Sequence, residues 1–396
     1  MSVNFTVAIR TFNGEKRLPD VLDELLHQET NSELRWEVLV IDNNSQDQTA
    51  KVVDEYVRKW NQIRTDSYLR YVFEPRQGSS YPRDRAMQEA ASPDLVGFLD
   101  DDNLPARDWV VEAYRFGQAH PRVGAYGSRI YAKLDEPAPP HFEGIKSFLA
   151  VNDWGPNTFH FTKKYPRQVP VGPGCVIRKQ AWQEAVPRYR RLRGRDDNSR
   201  FKAAHAEDVE IMYYIQSSNW EVWHNSLMSV WHHIPVKRMD KTYLRKLAFN
   251  SGLAAHACRY AKLSPQQRRL MPLLIPGYLL LSTIRVVKQY LQQRNQFATD
   301  FGKECSFQRN IGVLLSCFFT PAPKSYDDAS AANSRSSIAN PPMGPAARDL
   351  RSDNGSLVTD QSPAETISSE SHLESSQPLL PVLGYEVPSG KADTLL

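Results

Sequence analysis

Apolar and polar positions follow two alternating rhythms through the first third of the chain. Residues 5–9, Phe-Thr-Val-Ala-Ile, form a β-branched apolar run that predicts a strand, and residues 10–14 a loop. Residues 17–28 then place Leu18, Val21, Leu22, Leu25 and Leu26 at helical spacing, with Pro19 in the first turn where its missing N–H costs no hydrogen bond. The pair of rhythms repeats: strand 36–41, helix 49–60, strand 69–73, helix 83–91, strand 96–99, helix 106–118, strand 123–131. Strands and helices that alternate across short connections predict a doubly wound, mostly parallel sheet between two helical layers, an α/β fold. Beyond it, residues 171–178 read as a Gly-rich turn running into a short strand, 207–216 as a helix and 220–224 as a strand. Residues 133–164 are rich in Pro, His and aromatics and show no clear period, and 188–200 is a highly charged loop.

The fourth strand ends abruptly in Asp100-Asp101-Asp102. Open α/β sheets place ligands at the carboxyl ends of their strands. Three adjacent acids repel one another unless positive charge sits among them. In an extended segment Asp100 and Asp102 share a face, which would make a two-oxygen clamp for Mg²⁺ or Mn²⁺. A solvated, helix-capping turn is the plainer alternative. Asp42 ends the second strand, where a carboxylate can accept from a ribose hydroxyl or a base N–H; Ser45 or Asp47 is a helix N-cap candidate beside it. Thr11 and Asn13 end the first strand, and Arg83 follows the Gly78 loop with the fork geometry that suits a pyrophosphate. Glu207-Asp208 opens a helix; a carboxylate there is either a favourable helix-start acid or the general base that an alcohol nucleophile needs. Of the adjacent His232 and His233, at most one can point inward, and His233 is the candidate for completing a metal shell.

Charge and composition divide the chain further. The net charge is +4, but residues 321–396 hold 5 basic and 10 acidic side chains, leaving 44 basic against 35 acidic in the rest. A basic body suits anionic small molecules or an anionic membrane surface; no nucleic-acid partner is expected. Residues 270–287 are strongly apolar but interrupted by Pro272, Pro276, Gly277 and Arg285, and 311–319 is half a span. With Arg268, Arg269, Lys288, Arg294 and Arg309 around them, they read either as segments lying in an anionic interface or as a buried helical subdomain. The tail after residue 320 is rich in Ser, Ala, Pro and acids and is expected to be disordered. Cys175, Cys258, Cys305 and Cys317 have no metal-binding spacing and read as free thiols. No secretory signal is seen ahead of the first strand, so a cytoplasmic location is expected, at the cytoplasmic face of the inner membrane. The domain reading is 1–240, 241–320 (helical, a membrane-association candidate) and 321–396.

The order strand-Thr-Phe-Asn, Asp-x-x-Ser-x-Asp-x-Thr, Gly…Arg, Leu-Asp-Asp-Asp, Gly-x-Gly and Glu-Asp, across residues 4–235, resembles the family 2 glycosyltransferases with the GT-A fold. Trp-His-His-Ile-Pro at 231–235 and the layout also resemble cyanobacterial enzymes of hormogonium polysaccharide synthesis. The resemblance implies metal-dependent (Mn²⁺ or Mg²⁺), inverting, single-displacement transfer from a nucleotide-diphospho-sugar to a glycan or lipid-linked acceptor. It implies that Asp42 binds the nucleoside, that Asp100 and Asp102 hold the metal on the diphosphate, and that Asp208 is the base with Glu207 near the acceptor; with the residues read above, the expected nucleotide-sugar site is Thr11, Asn13, Asp42, Arg83, Asp100 and Asp101, and the expected metal ligands are Asp100, Asp102 and His233. Two departures stand out. Pro82-Arg83-Asp84 replaces the common Ala-Arg-Asn, and Gln-x-x-Arg-Trp is absent after Glu-Asp, which argues for single-sugar addition over polymerisation. The rival readings are a nucleotidyltransferase, which would want a Lys-bearing Gly-rich loop after the first strand, a receiver-type signalling module, and a non-catalytic sugar-nucleotide-binding membrane protein.

Overall fold

The alternation is realised in a computed structural model, which describes residues 2–165, 168–188, 190–192 and 206–319. In chain order the elements are β1 (Phe5–Thr11), α1 (Leu18–Leu26), β2 (Trp36–Asp42), α2 (Thr49–Ile63), β3 (Ser67–Phe73), α3 (Ser80–Glu89), β4 (Leu95–Asp100), β5 (Asn103–Pro105), α4 (Trp109–Ala119) and β6 (Val123–Leu134). Then come α5 (Phe142–Ile145), β7 (Phe159–His160), α6 (Phe161–Lys164), β8 (Cys175–Arg178), α7 (Lys179–Ala185), α8 (Glu207–Gln216) and β9 (Glu221–Ile234). The remaining helices are α9 (Lys241–Leu253), α10 (Ala255–Lys262), α11 (Pro265–Arg269), α12 (Met271–Gln293) and α13 (Phe301–Phe319).

Among the described residues the strands form one sheet in the order β3-β2-β1-β4-β8-β6-β9-β5, with β7 also on β9. The first four are parallel, and β1 lies between β2 and β4, so the strand order reverses there. Alternate side chains feed the two faces. Phe5, Val7 and Ile9 pack with residues of α1, α2 and α4, whereas Ala8, Leu39 and Ile41 pack with residues of α3, α7, α8 and α10. Trp36 meets Trp60 edge-on at 5.7 Å, and Phe5 meets Trp109 at 6.2 Å.

The second half of the sheet departs from the parallel expectation. β8 runs antiparallel to both β4 and β6, and β5 antiparallel to β9. The cause is local. The chain reaches β8 through the turn at Gly172 and Gly174, at the end of the sheet where β4 finishes, and the Gly174 N–H donates to the Phe98 carbonyl at 2.9 Å. The strand read over 220–224 runs on to Ile234, so both histidines lie inside it.

The helices after residue 240 belong to the same compact unit as the sheet. α10 packs on α8, and α13 packs on α9 and α5. Gly252 and Gly312 let α9 and α13 meet backbone to backbone, since a Cβ on Gly252 would lie 2.1 Å from the Arg309 carbonyl oxygen. α12 has one face against α13, while Leu273, Leu280, Leu281, Ile284, Val287 and Leu291 stand exposed on the other. The buried-subdomain reading therefore fits α13 but not the outer face of α12. The four cysteines are free. The disordered-tail expectation for 321–396 lies outside the described residues.

Gly252→Ala forces the α9–α13 backbones apart and is expected to cost about 1–3 kcal/mol, the usual range for overpacking. Urea unfolding followed by far-UV circular dichroism checks this; a midpoint equal to wild type would show that the contact tolerates a methyl group.

Candidate active site

The sheet register builds the site. Arg10 pairs with Asp100 across β1 and β4, and Thr11 pairs with Asp42 across β1 and β2, so the ends of three strands bring their polar residues into one row. β4 stops at Asp100 because the Asn103 side chain accepts the Asp100 N–H at 2.9 Å and closes a tight turn over Asp101 and Asp102. The three acids consequently fan out instead of alternating, and Asp100 and Asp102 do not share a strand face. Each meets a different arginine. Asp100 takes Arg10, through Nε and, at 3.1 Å, through Nη2. Asp101 takes Arg17 at 3.0 and 2.8 Å and accepts the Thr11 hydroxyl at 2.7 Å. Asp102 takes Arg238 at 3.0 Å.

Arg10 reaches further, donating to Glu207 at 2.8 Å. Glu207 and Asp208 are neighbours with opposite electrostatics. Burial opposes ionisation of Glu207, but Arg10 and Arg83 outweigh it and hold the carboxyl well below the ordinary range. Burial and the adjacent Glu207 charge push Asp208 above it. Asp208 accepts the Gly172 N–H at 2.5 Å, and a Cβ on Gly172 would sit 2.6 Å from that same oxygen, so the approach requires glycine. Ala206, just before the pair, has φ 106°, an uncommon conformation for a residue with a Cβ.

The histidines separate as a strand requires. His232 is buried, with Nδ1 2.8 Å from the Leu149 carbonyl and Nε2 3.0 Å from Arg238 Nη1 and 3.5 Å from Asp102. A guanidinium only donates, so Nε2 accepts and Nδ1 carries the proton, the tautomer of a metal-ligating imidazole held by a carbonyl. His233 is corrected: it turns to the other side of β9 and bonds Asp135 at 2.6 Å, away from the acids. Burial opposes the ionisation of Asp102, but the Arg238 and Arg17 guanidiniums act against it and keep the carboxyl below the ordinary range. Among the described residues no three His, Cys, Asp or Glu side chains converge on a metal position. Two donors facing one cation position still suit Mg²⁺ or Mn²⁺, which complete their shells with water and substrate phosphate.

Asp42 is buried, accepting the Ser45 N–H at 2.9 Å and the Tyr71 hydroxyl at 2.7 Å. Asn13, in the left-handed region, exchanges bonds with the next loop: its N–H donates to Ser45 Oγ at 2.9 Å and its Oδ1 accepts from the Gln46 N–H at 2.8 Å. Beside it an open cleft of about 350 Å³ is lined by Asn13, Glu15, Lys16, Arg17, Gln46 and Asp47. Arg83 differs from the sequence reading. α3 begins at Ser80, so Arg83 lies inside the helix, 1% exposed, over the Phe98 ring at 4.7 Å. It bears electrostatically on Glu207 and Asp208 from below, and its buried Nε has no hydrogen-bond partner among the described residues. Asp84, left open by the sequence, pairs with Arg190. The residues that sequence reasoning missed are Arg10, Arg17, Tyr71, Arg238 and His232 as the inward histidine. The one signal for Arg10 was its place at the end of an apolar strand.

Residues 6–184 match the family model described as glycosyl transferase family 2. This is a family 2 glycosyl transferase domain. The chain is 30% identical over 122 residues to poly(ribitol-phosphate) beta-N-acetylglucosaminyltransferase TarS of Staphylococcus aureus, covering 30% of this chain and 19% of TarS. It is 38% identical over 60 residues to human dolichyl-phosphate beta-glucosyltransferase, covering 14% and 18%. The matched stretch thus spans about a fifth of each relative's length. The crystal structure of TarS 1–349 overlaps at TM-score 0.42 and 17% identity, over 80% of this chain and 85% of that one. The mannosyltransferase PcManGT of Pyrobaculum calidifontis, in complex with GDP-Man and Mn²⁺, overlaps at 0.47 and 19%, over 78% and 87%. The assignment of this family 2 domain rests on the family match and not on these overlaps.

Arg10→Met leaves Glu207 buried without its nearest cation, and the family 2 domain is expected to lose about 3–5 kcal/mol of stability. Wild-type Glu207 has a depressed folded pKa, so its contribution is present above the unfolded carboxylate range and lost as pH falls through the folded value. The gap between wild type and variant therefore narrows on acidification. Urea midpoints at neutral and acid pH measure this, and a pH-independent gap would place the loss in packing.

Proposed function

We propose that the chain transfers a sugar, with inversion and in one displacement, from a nucleotide-diphospho-sugar to a hydroxyl of a glycan or lipid-linked acceptor. The observation that carries the reading is the split Glu207–Asp208 pair beside the strand-end acids. A base must be ionised to act and basic enough to take a proton, and of the pair it is Asp208 whose pKa is raised. The acceptor oxygen forms a bond to the anomeric carbon, its proton passes to Asp208, and the bond from that carbon to the diphosphate oxygen breaks with its electron pair leaving on the diphosphate. Glu207, kept anionic by Arg10, positions the acceptor and holds Asp208 high. Asn13 lines the cleft suited to the nucleoside, beside the loop that Asp42 holds through the Ser45 N–H. Asp102 and His232 would hold Mn²⁺ or Mg²⁺, with Asp100 on the donor side; the ion supplies Lewis-acid neutralisation of the leaving diphosphate. The nucleotidyltransferase reading has less support, because the Arg10–Gly14 stretch carries no phosphate loop and Asn13 ties it to residues 45 and 46.

Asp208→Asn is expected to bind donor with near-normal affinity and to lose about 10²–10⁴-fold in transfer. Asp102→Asn is expected to lose both, and Glu207→Gln to be milder. Calorimetry of nucleotide-sugar binding beside product formation separates them. Full turnover in Asp208→Asn with none in Glu207→Gln would move the base by one residue. Because Glu207 raises Asp208, Glu207→Gln should also shift the pH–rate profile toward acid.

We further propose that the open face of α12 rests on an anionic leaflet at the cytoplasmic face of a membrane, where a lipid-linked acceptor would be presented. α12 is long and apolar enough to cross a membrane, yet one face is packed on α13, so it would lie in the interface plane. Flotation with anionic liposomes is expected to carry the protein, and Leu280→Glu with Ile284→Glu to release it; recovery of wild type entirely at the bottom of the gradient would refute this.

A further inference from the structure

We propose that Arg238 is a place-holding cation that becomes a donor-binding residue: it fills the metal position when the site is empty and turns to the diphosphate when it is loaded. The inference rests on the functional reading above and concerns a residue outside the family match, which ends at 184.

The guanidinium is placed as a metal would be. Nη2 lies 3.0 Å from Asp102 Oδ2 and Nη1 lies 3.0 Å from His232 Nε2, while those two acceptors are themselves 3.5 Å apart. A carboxylate oxygen and an imidazole lone pair converging on one positive charge form a donor set for a divalent ion. The other two arginines of the cluster differ. Arg10 projects from the middle of the sheet and is committed to Asp100 and Glu207, and Arg17 meets Asp101 alone of the three acids. Arg238 sits in a single 3₁₀ turn, Val236–Met239, that follows β9 and contains no buried residue, and its own side chain is about a quarter exposed. The Arg238 side chain can therefore leave Asp102 with little loss of buried packing, while Met239 at the end of the turn stays against the cluster around Ile234 and Leu244.

Two cations cannot share one carboxylate and one lone pair. A divalent ion entering between Asp102 and His232 displaces Arg238, whose charge then lies within a side-chain length of the diphosphate that completes the ion's shell. Arg suits that new partner, because its fork matches phosphate oxygens. Arg17 adds positive potential at Asp102, so once the divalent ion is seated the released guanidinium is repelled from its old place and attracted to the incoming anion.

The consequence is a reversal of sign. Arg238 weakens binding of the bare metal, which must displace it, and strengthens binding of metal with nucleotide, which gives it a new partner. Arg238→Ala in the full chain is therefore expected to bind Mn²⁺ alone ~10-fold more tightly, and Mn²⁺ with nucleoside diphosphate ~10-fold more weakly, the scale of one charge-assisted bond. Arg238→Lys should fall between, since an ammonium can hold Asp102 but not both acceptors. Electron paramagnetic resonance of free Mn²⁺ gives the first quantity. Calorimetry with UDP and GDP at saturating Mn²⁺ gives the second, using whichever nucleotide the wild type binds. A variant that failed to fold would lose both, so tighter Mn²⁺ binding marks a folded protein. Movement of both affinities in the same direction, or of neither, overturns the role of Arg238. Failure of the wild type to bind either nucleotide with Mn²⁺ overturns the functional reading itself, and the inference with it.

Discussion

Three consecutive buried or half-buried carboxylates can exist in this fold only because each has its own arginine. At about 4 Å two like charges cost several kcal/mol in a partly buried setting, more than a marginal domain can absorb without compensation. The compensation comes from three separate parts of the chain: Arg10 from the first strand, Arg17 from the start of the first helix, and Arg238 from beyond the last strand. The tight turn closed by Asn103 makes the arrangement possible, since it aims successive acids in different directions. The site is in this sense a set of ion pairs that the sheet register brings together.

Arg10 is the point where this cluster meets the other acid pair. Its guanidinium touches Asp100 on one side and Glu207 on the other, and it acts electrostatically on Asp208 as well. Glu207 and Asp208 are adjacent, one buried and the other half-buried, yet the first is driven down and the second up. The difference comes from which of the two the arginine contacts. Two carboxylates with opposed pKa shifts are the usual sign of divided roles in an active site.

Much of the architecture was legible in the sequence. Each strand and helix read over the first hundred residues is present, because the apolar periods there are strong and the loops short. The missing parts share a cause. β5 is three residues long, below the length at which alternation can be seen, and the antiparallel entry of β8 follows from a turn whose direction two glycines leave open. Asp42, Asp100, Asp102 and the Glu207–Asp208 pair were legible as candidates, since acids after apolar strands and at helix starts are local features. Their partners were not, because Arg10 and Asp100 are ninety positions apart and become neighbours only through the pairing of β1 with β4. Arg83 shows the same limit from the other side. Three residues of extra helix turned an expected pyrophosphate fork into a buried cation.

The two histidines carry a constraint that reaches beyond their own positions. Strand side chains alternate sides with a period of two, so the choice between His232 and His233 is a matter of parity. That parity is set where β9 rejoins β6 after an irregularity, with Arg129 opposite Ser229. From there the strand counts evenly through Val230 to His232 and Ile234, all buried, and oddly through Trp231 to His233. A one-residue shift of the Arg129–Ser229 register would exchange the imidazoles and present Trp231 to the core, whereas a shift of two would leave the count intact. The excursion at 225–228 is thus free to drift in length, so long as the strand returns to β6 at the same pair.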